Sequence, residues 1–278
     1  MNRVFAVANQ KGGVGKTTTS VNLAVALAAR GQRTLLLDMD PQANATSSLG
    51  IARDKIAASS YDLLLGNATA SRATLINGRL NLAIIPSAAN LAAAEVELVG
   101  ELAREYRLRQ ALATELERYD VILIDCPPSL GLLTVNALTA ATDVLIPVQC
   151  EYLALEGLSQ LTRTVQLVRQ RLNPRVDIVG LIMTMYDART ALANQVIAET
   201  EKYFGAKVFS TRIPRNVRLS EAPSHGQPIQ TYAPASPGGR AYNDLADELI
   251  KRLSEAPVPA SVALEPVTQD APVEAPNA

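Results

Sequence analysis

Short apolar runs alternate along most of this 278-residue chain with longer stretches in which apolar residues recur at helical spacing. Residues 4–8, Val-Phe-Ala-Val-Ala, predict a buried strand, and 17–30 behind them predict a helix. Further strands are predicted at 33–38, 80–86, 119–125, 143–148, 176–183 and 207–213. Helices are predicted at about 131–141, from 153 to about 172 where Asn173-Pro174 stops it, from beyond Thr190 to Phe204, and at 239–254. The stretch 91–116, rich in Ala, Leu and Glu, predicts a long helix broken near Gly100. Between 43 and 77 the pattern is weak, apart from a short helix around 61–66 that Gly66 closes. Strands that are apolar throughout, alternating with helices, predict an α/β fold. Its sheet should be doubly wound and mostly parallel, with about seven or more strands and helices on both faces.

Composition sharpens this picture. The chain is 48% hydrophobic but only 4% aromatic, without Trp, so the core of one large domain must be built from Ala, Leu, Ile and Val. Residues 255–278 hold five Pro and six Ala and no aromatic, which predicts a disordered acidic tail appended to a domain at 1–254. No run of 18 apolar residues occurs and no charged leader precedes the first strand, so a soluble cytoplasmic protein is expected. Cys126 and Cys150 lack metal-ligand spacing and fit a reducing compartment as small buried residues.

A net charge of −1 argues against strong nucleic-acid binding, yet the average hides an asymmetry. The tail has four acids and no Lys or Arg; taking those four from the total of 27 leaves 23 acids against 26 bases in the body. Twenty of the bases are Arg, the better residue for bidentate phosphate contact. This permits DNA binding without establishing it.

Candidate chemistry centres on 9–18, Asn-Gln-Lys-Gly-Gly-Val-Gly-Lys-Thr-Thr, which stands between the first strand and the first helix. Strand, glycine-rich loop and helix form a phosphate-binding loop: backbone N–H groups curl around phosphate oxygens and the helix N-terminus adds its dipole. Lys16 is placed for the β and γ phosphates and the Thr17 hydroxyl for the Mg2+ that accompanies them. The usual first glycine is replaced by Gln10, and Lys11 follows, so a second cation stands at the mouth of the loop. It reads either as a solvated charge or as a second phosphate ligand. Asp38 and Asp40 sit at the carboxyl end of a predicted strand, where an open α/β sheet binds its ligand, although a polar loop would look the same. Asp125 ends the most apolar strand, an arrangement that puts a carboxylate near the magnesium shell.

The loop KGGVGKTT, the strand ends DMDPQ and LIDCPPS, and IPRNVRLSEAPSHGQPI together resemble the deviant Walker A ATPases of the ParA/MinD superfamily, from Asn2 to about Ser254. The chain is most similar to the short, Soj-like ParA proteins that partition chromosomes and plasmids. The phosphate loop begins at residue 9, too early for the helix-turn-helix region of the longer plasmid type, so sequence-specific operator binding is not expected.

The resemblance implies a slow, partner-stimulated ATPase that uses ATP and Mg2+. Nucleotide would be held by Lys11, Gly12, Gly13, Val14, Gly15, Lys16, Thr17 and Thr18. Lys11 matches the lysine that crosses a dimer interface to the partner's nucleotide, and Gly12 lies where a side chain would crowd the facing loop. Asp40 matches the acid that positions the attacking water; Thr17, Asp38 and Asp125 match the residues around magnesium. Pro214 and Asn216, with Met185 as an apolar neighbour, fall where adenine is contacted, although Pro214 also reads as a strand stop. Arg189 and Arg218 match arginines that bind DNA phosphates without regard to sequence. An ATP-dependent homodimer on nucleoid DNA, released when a ParB-like centromere-binding protein stimulates hydrolysis, is the implied cycle, with no membrane involved.

Three rivals are weighed by sequence features. A MinD-like division-site ATPase needs a basic amphipathic C-terminal helix, whereas this tail is acidic and broken by proline. A metal-cluster carrier needs a CxxC arrangement that Cys126 and Cys150 do not form. A scaffold using ATP only as a structural ligand has no need of Asp40. His225, the sole histidine, lies in a Ser-His-Gly turn and is given no catalytic role.

Overall fold

A computed structural model of the chain describes residues 2–151 and 154–255. The expected acidic tail lies outside the described residues, except for Glu255 at the end of the last helix. Strands β1 (Arg3–Val7), β2 (Thr34–Asp38), β3 (Leu75–Asn77), β4 (Leu82–Ile85), β5 (Val121–Asp125), β6 (Asp143–Gln149) and β7 (Asp177–Thr184) form one sheet in the order β3-β4-β2-β5-β1-β6-β7. Every pairing is parallel except β3 with β4.

The central strands are buried along their whole length because helices cover both faces. Period-two alternation sorts their side chains. Val4, Ala6, Leu35, Leu37, Ile122 and Ile124 join the core on one face. Phe5, Val7, Leu36, Val121 and Leu123 join the core on the other. The first core is closed by α3 (Ser60–Leu65), α4 (Ala70–Ala73), α5 (Leu91–Glu97), α6 (Arg107–Leu112), α7 (Leu132–Ala140), α8 (Ala154–Arg171) and α9 (Ala191–Phe204). The second is closed chiefly by α1 (Lys16–Ala28), α2 (Asn44–Ser48), α11 (Ile229–Tyr232) and α12 (Pro237–Glu255), with α10 (Val217–Glu221) beside them. Burying a Leu or Phe side chain contributes about 1.5–3 kcal/mol, so these two aliphatic layers carry most of the stability.

Two expectations need correction. Residues 207–213 run beside β7 but make only isolated bridges, Leu181 with Val208 and Tyr186 with Pro214. The reason is local: the Phe209 and Ile213 N–H groups reach the Leu181 and Met183 carbonyls of β7 at 2.9 and 2.8 Å, but between them the Ser210 and Thr211 N–H groups turn to the Glu248 carboxylate at 2.9 and 2.8 Å and interrupt the ladder. The seventh strand is β3, a three-residue antiparallel edge hidden in the weakly patterned stretch. The helical stretch at 91–116 is broken just past Gly100, as expected: α5 ends at Glu97 and α6 begins at Arg107. Ala103 turns left-handed between them at φ 51°, and the Asn136 side chain accepts from the Leu108 N–H and donates to the Arg104 carbonyl, satisfying the broken ends. The short helix near 61–66 is likewise present as α3, with a Ser59–Asp62 capping box and Gly66 as its left-handed C-cap.

Candidate functional site

The site grows from the carboxyl edge of β1, β2 and β5, where the chain order reverses and an open parallel sheet leaves a crevice. The loop between β1 and α1 is shaped by two glycines in the left-handed region, Gly13 at φ 73° and Gly15 at φ 88°. An L side chain at either would cost about 1–2 kcal/mol. Thr184 at the end of β7 pins the loop by donating its hydroxyl to the Val14 carbonyl at 2.8 Å. Asn9 pins the other side, accepting from the Lys11 N–H at 3.0 Å and donating to the Pro147 carbonyl at 2.7 Å.

The two lysines of the loop have different surroundings. Lys16 is buried and donates back across the loop to the Lys11 carbonyl at 3.0 Å, closing the ring that would surround a phosphate. Burial lowers its pKa, partly offset by the Asp125 charge. The Lys11 side chain is 32% exposed and leans toward Glu151, with Nζ 3.5 Å from Oε2. Glu151 is also 3.7 Å from Arg215, and Gln149 donates to its other oxygen. Gly12 between them has open space where a Cβ would stand, so nothing within this chain demands glycine there.

Register sets the carboxylates. Asp38 of β2 is the direct cross-strand partner of Asp125 of β5, and both are fully buried. Asp125 accepts from the Thr17 hydroxyl and the Ser20 hydroxyl, each at 2.8 Å. Asp38 accepts from the Thr46 N–H and hydroxyl at 2.8 and 2.7 Å and from the Asp40 N–H at 3.1 Å. Burial pushes both carboxyls well above the usual range, and the Asp38 charge raises Asp125 further. Asp40, 6% exposed, is fixed through its backbone, its carbonyl accepting from the Ser87 hydroxyl at 2.7 Å, and its carboxylate accepts from the Gln42 N–H at 2.9 Å.

Two buried carboxylates held up in pKa beside a threonine hydroxyl are the oxygen donors a hard divalent cation prefers. Among the described residues no group of three or more His, Cys, Asp or Glu converges. Asp38, Asp125 and the Thr17 hydroxyl could supply part of a shell to an ion that arrives with phosphate oxygens and water.

Next to the loop lies a cavity of about 450 Å³ lined by Gly15, Thr18, Met185, Pro214, Asn216 and Tyr242, among others. The three residues expected near adenine therefore share one cavity with the phosphate loop. Met185 adopts φ 52°, a strained conformation held by the Tyr186 N–H donating to the Ile213 carbonyl at 3.0 Å. Arg189 and Arg218 are exposed and each is paired locally. Arg189 forms a two-pronged contact with Asp187 at 2.9 and 2.7 Å, whose carboxyl it holds down at about 2, and Arg218 bonds Glu221 at 2.8 Å.

Residues that sequence reasoning passed over complete the site. Ser20 lies one helical turn beyond Lys16, a spacing that could have flagged it. Thr46 and Ser87 come from weakly patterned segments, and Glu151, Arg215 and Thr184 reach the loop only through the tertiary fold.

Comparison with known proteins completes the description. Residues 2–178 match the family model of an AAA domain. The chain is 56% identical over 252 residues to the sporulation initiation inhibitor protein Soj of Bacillus subtilis, covering 90% of this chain and 98% of that protein. It is 52% identical over 250 residues to the chromosome partitioning protein ParA of Myxococcus xanthus, covering 90% and 88%. Among solved structures, cobyrinic acid a,c-diamide synthase of Mycobacterium smegmatis with bound ADP and magnesium superposes with a TM-score of 0.80 at 40% identity, over 92% of this chain and 96% of that one.

Proposed function

The chain belongs to the Soj/ParA family of chromosome-partitioning ATPases, and from that premise we propose a two-subunit cycle in which ATP is both substrate and assembly signal. It is an ATPase that uses ATP and Mg2+. In the proposed reading, loop residues 11–18 hold the phosphates, and Met185, Pro214 and Asn216 receive the base. Bound Mg2+ would neutralise developing charge on the phosphate oxygens. Thr17, Asp38 and Asp125 would hold it. Asp40, kept in place through Ser87, would orient the attacking water. The residues from 1 to 254 act as the ATPase domain, and 255–278 as an appended tail.

The observation that carries this reading is the division between the two lysines. Lys16 already completes its own loop, so Lys11, about one-third exposed and paired among the described residues with Glu151, is left over for a nucleotide outside its own site. A second subunit facing the loop supplies that nucleotide, and the open space at Gly12 accommodates the approach. Two subunits double Arg189 and Arg218 into a cationic face for double-stranded DNA, read through phosphates and therefore steeply salt dependent. A ParB-like centromere-binding partner then stimulates hydrolysis and releases the dimer. The working location is the nucleoid within the cytoplasm.

The test is ATP turnover by the purified chain with non-specific DNA, with a ParB-like partner, and with both. Stimulation by the combination is expected. Turnover indifferent to both would overturn the partition cycle while leaving the ATPase assignment untouched.

A further inference from the structure

Between α8 and α9 runs a second groove, of about 650 Å³, which shares no lining residue with the nucleotide cavity. Leu158, Thr162, Arg163, Gln166, Tyr203 and Phe204 line it, and beyond Tyr203 and Phe204 it continues to Arg169, Asp177 and Lys207. Leu158, Val165, Ile178 and Phe204 give it an apolar floor, and Tyr203 at its edge is 69% exposed.

Its rim is cationic. Arg163 and Arg169 of α8 line it, and from Gly157 the chain carries no acid until Asp177. Asp177 alone serves both Arg169, at 3.3 Å, and Lys207, at 2.9 Å. Lys202 has Glu199 at 3.9 Å, while Arg163 makes no ion pair among the described residues. The groove lining holds three cations (Arg163, Arg169, Lys207) and two carboxylates (Asp177, Glu199), and Lys202 stands beside Glu199.

The chain's own continuation starts beside the Lys207 end of the groove. In the last turn of α12, Arg252 donates to the carbonyls of Ala206 and Val208 at 2.9 and 2.8 Å, on either side of Lys207. Glu255 stands three residues later, about 4.5 Å of helix further on. Residues 256–278 follow, with Glu265, Asp270 and Glu274, no Lys, Arg or His, and apolar Val262, Leu264 and Val267 among the acids. Nine extended residues, 256–264, span up to about 30 Å. The stretch of α8 from Leu158 to Arg169 rises only about 17 Å. Reach is therefore ample. A tether this short also gives an effective concentration of about a millimolar, so individually weak contacts suffice for docking.

We propose that residues 258–274 dock in cis along the α8/α9 groove, with their acids against the arginine rim and their apolar residues against its floor. Charge complementarity and the exit point of α12 both select this segment as the occupant. Docked there, it shields cations that would otherwise face solvent.

The experiment uses the full chain carrying a nitroxide at Gln269→Cys; Cys126 and Cys150 are buried, so labelling is selective. Amide signals of Thr162, Gln166 and Tyr203 are expected to lose intensity selectively, independently of protein dilution. They should recover in about 1 M NaCl, where the Debye length falls to about 3 Å. Arg163→Glu with Lys207→Glu should abolish the effect, and adding Glu265→Lys, Asp270→Lys and Glu274→Lys should restore it. Broadening no stronger in the groove than on other faces overturns the proposal. So does broadening that passes from a labelled copy to an unlabelled one, which would make a second molecule the occupant.

Discussion

Thr46→Val removes one buried hydroxyl while keeping the shape of the side chain, and it tests whether the carboxylates are held from behind as described. Thr46 is 3% exposed, Asp38 0% and Ser87 1%. The hydroxyl donates to Asp38 Oδ2 at 2.7 Å and accepts from the Ser87 N–H at 2.9 Å. Losing the first bond costs about 1 kcal/mol, the lower end for a carboxyl whose pKa burial has raised. Leaving the Ser87 N–H buried without a partner costs about 1–3 kcal/mol more. Asp38 retains the N–H groups of Thr46 and Asp40, so no uncompensated charge is created. The total, roughly 2–4 kcal/mol, lowers Tm by roughly 5–15 °C for a domain of this size. Thr46→Ser keeps the hydroxyl and loses one methyl, at about 1 kcal/mol. Neither change touches the phosphate loop, so nucleotide affinity measured without Mg2+ should hold, whereas displacing Asp40 through Ser87 by as little as about 1 Å should cut turnover roughly 100-fold. Thermal unfolding, titration with a fluorescent ATP analogue and single-turnover hydrolysis measure the three quantities. An unchanged Tm in Thr46→Val, or equal losses of affinity and turnover, would refute the reasoning.

Other predictions follow from the same geometry. Asp125 has a folded pKa raised by burial, so its contribution to nucleotide-free stability is present below the unfolded value of 3.8 and is lost as pH rises through the folded range. Tm should decline across that window, and Asp125→Asn should flatten the decline while weakening Mg2+-dependent nucleotide retention; a parallel pH profile counts against it. Glu248 behaves oppositely: burial pushes its carboxyl up, but hydrogen bonds from Ser210 and Thr211 prevail and hold it at about 2. Its contribution is present above the unfolded value of 4.5 and lost as pH falls toward about 2, so Glu248→Gln should make acid unfolding less steep. Arg189→Glu should leave ATP-dependent dimerisation intact while weakening DNA binding and its salt slope, read by anisotropy at several salt concentrations; an unaltered slope makes Arg189 a bystander.

Much of the site was legible because local rules wrote it. Glycines that must turn left-handed, a lysine and threonine opening a helix, and acids closing apolar strands all sit at fixed spacings that need no tertiary information. The cross-strand partnership of Asp38 with Asp125 was not readable, since strand order decides it. Nor was the failure of residues 207–213 to pair continuously as a strand, because Glu248, remote in sequence, draws the Ser210 and Thr211 N–H groups out of the ladder. Thr46 and Ser87 escaped for the same reason: a hydroxyl in a weakly patterned segment gains meaning only from the carboxylate behind which it folds.

The irregular lysine shows how far such reading extends. In sequence, Lys11 is a departure from the common phosphate loop; in the fold, it is the one loop cation whose side chain is not committed to the loop. Its tie to Glu151 joins side chains 32% and 45% exposed and is worth about 0–1 kcal/mol. A triphosphate presented by a second subunit offers several charge-assisted bonds at about 1.5–3 kcal/mol each, enough to displace that tie. Glu151 also contacts Arg215 beside the base cavity, so release of Lys11 and occupation of that cavity bear on the same carboxylate. In the proposed cycle, ATP thus acts at both ends of one weak ion pair, which is sufficient for nucleotide to prompt assembly without any large rearrangement of the sheet.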